Sequence, residues 1–185
     1  MSNESSGPIE GMVVFSHAAL LALCRSLLER DEAQGPLALQ EAGYAGGPAV
    51  YEYFERWLAE RVTLGPSELE LGDFQFYLSE FFRQCGWGTV DISSVDGVVA
   101  AVDCSEWAES DPRLAAGVPA CHITTGLFAD LFGRVAGSAV AVLEVECRSA
   151  GHPRCRFLVG SPEVMDAVYE EMVRGVPYGD AVALA

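Results

Sequence analysis

The spacing of hydrophobic positions along this chain changes once, near residue 89. Before that point apolar residues recur every three or four positions, the period of a helix with one buried face. Leu20, Leu23, Leu27 and Leu28 share one side of "SHAALLALCRSLLERDEA", and Ser16 is placed to cap its first turn. Gly35-Pro36 reads as the stop of this helix, with a second expected from near Leu37 into "GYAGGPAVYEYFERWLAERV". There Gly43, Gly46 and Gly47 suit close packing against another helix. No Lys-Ser/Thr pair follows them, as a phosphate-cradling loop would require. A third helix is expected in "GPSELELGDFQFYLSEFFRQCGWGTV", closed by the glycines of "CGWG".

Beyond residue 89 the pattern alternates. "TVDISSVDGVVAAVDCSEW" reads as a hairpin turning at Asp96-Gly97. A loop and a helix from about His122 to Val135 follow, then two strands, "SAVAVLEVECRS" and "RCRFLVG", joined by "AGHP". "SPEVMDAVYEEMVRGV" is a last amphipathic helix, with Ser161 as cap, Pro162 at its first position and Gly175 as stop. The order predicts an α+β fold, helices packed on an antiparallel sheet. Residues 1–11 are expected to be disordered. Residues 12–182 are expected to form one domain, helical over 12–88 and hairpin-helix-hairpin-helix over 89–182.

Composition narrows the function. The chain has 185 residues, enough to bury a full core. Its formal net charge of -16 disfavours nucleic acid and anionic membranes, whose partners present Lys and Arg. The start "MSNESSGPIEGM" lacks the features of a secretion signal, and no apolar run reaches membrane-spanning length. The expected location is cytoplasmic, where thiols stay reduced. The six cysteines then point to metal binding or buried thiols before disulfides.

Cys121, Cys147 and Cys155 are the three that topology can gather. Cys147 and Cys155 sit on the two sides of one short hairpin, and Cys121 opens the preceding helix, where the dipole favours a thiolate. Three converging thiolates need a cation, and Zn²⁺ is the usual one. Glu144, Glu146, His122 and His152 are all within reach as a fourth ligand. Glu144 and Cys147, three apart, would face opposite sides of a flat strand, so their pairing requires a bulge or a curling strand end. The aromatic residues Phe74, Tyr77, Phe81, Trp87, Trp107 and Phe128 either build the core or line a pocket for an apolar ligand.

"ACHITTGLFADLFGRVAGSAVAVLEVECRSAGHPRCRFLVG" resembles the 4-vinyl reductase domain family. The pattern is a cysteine before a glycine-containing helix, a Glu-x-x-Cys strand, a glycine turn and Cys-x-Phe on the return strand. The resemblance extends over roughly residues 12 to 182, through "EAGYAGG", "CGWG" and "VRGVPYGDAV". The same order occurs in effector domains of bacterial aromatic-compound sensors, and the architecture resembles TRAPP subunits and haem-type NO-sensing domains. The resemblance implies a structural zinc held by Cys121, Glu144, Cys147 and Cys155, leaving Cys24, Cys85 and Cys104 as packing residues.

It also implies a regulatory domain that binds a small hydrophobic or aromatic molecule, dimerises and signals through a protein partner. Val142, two residues before Glu144, offers no polar anchor for a phenolic ligand. A TRAPP-like interaction subunit is one alternative. An enzyme of chlorophyll vinyl reduction is the other, and its chemistry needs a hydride source. The chain shows no Gly-rich dinucleotide fingerprint and no nucleophile-base pair, so a binding role is expected before catalysis.

Overall fold

The computed structural model describes residues 13–114 and 116–185, so the start expected to be disordered lies outside the described residues. The elements are α1 His17–Arg30, α2 Gln34–Ala59, α3 Leu71–Gln84, β1 Thr89–Val95, β2 Val99–Ser105, α4 His122–Ala136, β3 Ala141–Glu146, β4 Cys155–Gly160, α5 Pro162–Val173 and α6 Tyr178–Leu184. Four antiparallel strands form one sheet in the order β1-β2-β4-β3. The fold is α+β, as expected.

Alternation along the strands separates two cores. Val102, Cys104, Cys155, Phe157 and Val159 face the side covered by α2, α3 and α4. Val99, Ala101 and Leu158 face the other side, against Met165 and Val168 of α5 and Ala181 and Val182 of α6. The sheet is thus sandwiched between helices, and its strands bury side chains on both faces.

The first core is predominantly aromatic. Phe54, Phe81, Phe82, Trp107, Phe128 and Phe157 make a chain of edge-on and tilted ring contacts with centroid separations of 5.1–5.4 Å between Phe54 and Phe81, Phe81 and Phe82, and Phe82 and Trp107. Such pairs stabilise by roughly 0.5–1.5 kcal/mol each beyond the area they bury.

Helix α4 crosses α2 through glycines. A Cβ on Gly43 would lie 2.0 Å from the Ile123 carbonyl oxygen, and one on Gly126 would lie 1.9 Å from that of Gln40. Gly47 is equally closed, by the Asp130 side chain at 2.4 Å, whereas Gly46 faces open space. Two of the three glycines picked out in α2 therefore serve the packing expected of them.

Three local readings change. Gly35-Pro36 lies in the first turn of α2 and does not end α1. Proline is tolerated there because first-turn N–H groups have no helical acceptor. The chain turns instead at Asp31, whose carboxylate accepts from the Ala33 and Gln34 N–H groups. Gly35 is needed for contact, since its Cβ would meet the Leu27 carbonyl oxygen at 2.6 Å. Second, the chain does not end its structure at α5: α6 follows the Gly175 stop and lies on the sheet. It is held by the Tyr178 hydroxyl, which donates to Glu146, beside Arg156 bound bidentately to Asp103 at 2.7 Å. Third, Cys85 is exposed at the end of α3, so it is not a packing residue; Cys24 and Cys104 are buried.

Edge strand β1 is covered by α3. Ser79 and Gln75 side chains accept from the Val90 and Ile92 N–H groups, at 3.1 and 2.9 Å. These groups would otherwise offer a pairing edge to another chain.

Candidate metal centre

Strand β3 has an irregular register against β4. Glu144 pairs with Phe157, but Glu146 pairs with Arg156, leaving Val145 as an extra residue. Val145 packs into the α5–α6 core, and Glu146 points the same way, to Arg154 and Tyr178. Two consecutive residues thus face outward, and Cys147 returns to the inner face that Glu144 occupies. This bulge removes the parity conflict between Glu144 and Cys147.

The result is a closed cluster. Ligand atoms of Cys121, Glu144, Cys147 and Cys155 all lie within 4.8 Å of one another, and all four residues are buried. Cys121 Sγ is 3.8 Å from Cys147 Sγ and 3.7 Å from Cys155 Sγ. A tetrahedral site with Zn–S bonds of about 2.3 Å has S···S edges of about 3.8 Å. The sulfurs therefore stand at the spacing such an ion requires.

The carboxylate supplies a second test of fit. Glu144 Oε2 accepts from the Cys121 N–H at 2.9 Å. Oε1 is buried with no hydrogen-bond partner among the described residues. A buried carboxylate oxygen without a donor is costly unless it meets a proton or a cation. Burial, then the neighbouring Cys147, pushes the Glu144 carboxyl up to about 9. Thiol hydrogen bonds from Cys121 and Cys155 hold Cys147 down, while those bonds and burial hold Cys121 well up. Four acids packed together cannot all ionise alone; a divalent cation reverses that balance. The donor set fits Zn²⁺ without an open position.

The other candidates for a fourth ligand stand elsewhere. Glu146 is engaged by Arg154 at 3.0 Å. His152 lies in the turn, its Nδ1 3.2 Å from both the Cys147 N–H and carbonyl. His122 begins α4 outside the cluster, and burial holds its imidazole below the usual range. Cys104 is opposite Cys155 on β2, and burial drives its thiol well up, so it stays neutral beside the site.

Glu109 was not singled out by sequence reasoning. Helix α4 starts at Cys121, which makes no side-chain cap bond. The cap comes from Glu109, 3% exposed, whose Oε1 accepts from Ile123 N–H and whose Oε2 accepts from Thr124 N–H, both at 2.8 Å. The Thr124 hydroxyl donates to Oε2 at 2.6 Å and accepts from the Trp107 indole at 2.7 Å. This chain of bonds fixes the turn that carries Cys121. Burial pushes Glu109 up to about 7, against the pull of these donors. An unsuitable N-cap residue at a clear helix start was the available signal that a cap had to come from elsewhere.

The six aromatic residues considered for ligand binding are brought together, mostly as core. Phe74, Phe81, Trp107 and Phe128 are buried, with Tyr77 and Trp87 packed against them. Phe74 also borders an apolar pocket of about 280 Å³, between Ile92, Ala100 and Val102 of the sheet and Phe132 and Val135 of α4. Trp107 borders a different, more polar pocket.

With this geometry in place, comparison with known proteins identifies the class. Residues 104–161 match the 4-vinyl reductase domain, and the chain carries that domain. The matched stretch contains all four residues of the cluster. The fold is similar to the phenol-responsive sensory domain of the transcription activator PoxR, crystallised with phenol. The two are 21% identical, with a TM-score of 0.63, over 82% of this chain and 77% of that one. It is also similar to a trafficking protein particle complex subunit 3 from Naegleria fowleri, covalently bound to palmitic acid. That likeness is 16% identical, with a TM-score of 0.60, over 78% of this chain and 91% of the other. No curated protein sequence matches the chain significantly. No helix among the described residues is long and apolar enough to cross a membrane.

Proposed function

We propose that this protein is a zinc-stabilised domain that binds a small hydrophobic molecule and signals through a protein partner. One observation carries the zinc: three buried sulfurs at tetrahedral spacing face a buried carboxylate oxygen that has no other partner. Cys121, Glu144, Cys147 and Cys155 would hold the ion. With four protein ligands it would clamp α4 to the β3–β4 hairpin and leave no position for substrate.

The ligand would enter the apolar pocket beside Phe74, whose walls come from both the sheet and α4. A pocket of about 280 Å³ suits a small aromatic or aliphatic molecule. Val142 and Val159 pair on the same face and offer no polar anchor, which favours apolar over phenolic ligands. Helix α4 then connects the two sites: its first turn holds Cys121 and its last carries Val135. The similar solved folds are a sensory domain and a trafficking subunit, which favours binding over catalysis. Val13, Val14, Phe15 and Leu23 are exposed at and before α1, which supports self-association as a cytoplasmic homodimer through this end.

Cobalt substitution tests the metal reading. Protein refolded with Co²⁺ is expected to show strong thiolate-to-cobalt charge-transfer absorption and tetrahedral visible bands. Absence of both in well-folded protein would exclude the site. Binding of a neutral aromatic probe separately tests the pocket.

A further inference from the structure

A second pocket, of about 520 Å³, opens over the β3–β4 turn. Its lining includes His17, Ala18 and Leu21 of α1, Glu106 and Ser110 of the following loop, and Arg148. Arg148 is the informative residue. The chain has 11 basic and 27 acidic side chains, so carboxylate partners are plentiful. Arg148, Arg154 and Arg156 are the half-buried arginines. Arg154 reaches Glu146 and Asp103, and Arg156 reaches Asp103. Arg148 forms no ion pair among the described residues and donates only one long hydrogen bond, 3.5 Å, to Ser110 Oγ. A half-buried guanidinium is costly without an acceptor, and its planar fork of donors matches a planar oxyanion.

The rest of the lining limits which anion fits. Asp111 is already engaged by Arg113 and Arg25. Glu106 has no ion pair among the described residues and is held at φ 52°, a left-handed conformation that non-glycine residues rarely adopt. Phosphate, with nearly two negative charges, would face Glu106 at greater cost than a singly charged carboxylate. Ala18, Leu21 and Pro112 give the pocket an apolar wall.

We propose that this pocket binds a small organic carboxylate, its head on the Arg148 guanidinium and its apolar body against Ala18, Leu21 and Pro112. This site is distinct from the apolar pocket beside Phe74 and does not depend on zinc. Its occupant would still act on the hairpin, because Arg148 follows Cys147 and its backbone N–H donates to Cys155 Sγ at 3.5 Å.

The test is a titration of the full chain with sodium benzoate, followed through arginine Nε–H signals by NMR. Benzamide and inorganic phosphate serve as controls. Benzoate is expected to shift the Arg148 signal saturably, and to bind about tenfold more tightly than either control. The Arg148→Gln variant should lose that benzoate binding, and Glu106→Gln should tighten it about threefold by removing a like charge. If Arg148→Gln does not fold, the Glu106→Gln comparison decides. The proposal is overturned by any of three results: no saturable shift, phosphate binding as tightly as benzoate, or benzoate affinity unmoved by these substitutions.

Discussion

Gly43 and Gly46 are three residues apart in α2 and should respond to alanine in opposite directions. At Gly43 the new Cβ would stand 2.0 Å from the Ile123 carbonyl oxygen and 2.8 Å from its carbon. Ordinary contact begins near 3.4 Å, so the helices must separate by about 1.4 Å, and the obstructing atoms are backbone that cannot rotate away. Overpacking of this kind costs about 3 kcal/mol. It also pulls the first turn of α4, with Cys121, away from the hairpin cysteines. At Gly46 nothing lies within 4 Å, and alanine gains about 1 kcal/mol through helix propensity. Urea denaturation of wild type and both variants measures the difference, about 4 kcal/mol between them. A Gly43→Ala variant within 0.5 kcal/mol of wild type, or a Gly46→Ala variant equally damaged, would refute the α2–α4 crossing as the source of this constraint.

The other consequences are more local. Replacing Glu109 by Ala leaves the Ile123 and Thr124 N–H groups and the Thr124 hydroxyl without their acceptor, at a cost of about 3 kcal/mol in chemical denaturation. Glu109 should itself titrate near pH 7 in carbon-detected NMR. Because its folded pKa lies above the ordinary 4.5, its contribution to stability is complete below about pH 4.5 and declines as pH rises through 7. Filling the apolar pocket with Ile92→Trp should weaken binding of a neutral dye such as Nile red about tenfold, read by fluorescence, with the melting temperature little changed.

The fold was largely legible because two periods, 3.6 and 2, mark its helices and strands, and glycine or Asp-Gly marks their ends. Asp96 and Gly97 both take positive φ at the expected turn. Legibility failed where a residue served contact and not its usual punctuation. Gly35 reads as a stop, yet it admits α1 against α2. Helix α6 has seven residues, contains Gly179 and follows Pro177, so it has almost no pattern of its own; packing on the sheet makes it helical.

The cluster was legible in its residue types, but its geometry turned on one residue. Val145 bulges out of register and so brings Glu144 and Cys147 to one face, which alternation alone cannot announce. Glu109 was hidden for a different reason. Its partners lie 14 and 15 residues away, and a single acid in a loop carries no periodic signal.

Metal content tests the central claim most directly. Elemental analysis of protein purified without a His-tag should find one zinc per chain in wild type and none in Cys147→Ala, whose melting temperature should fall sharply. Well-folded wild type without metal, or a Cys147→Ala variant that keeps both its zinc and its stability, would contradict the account.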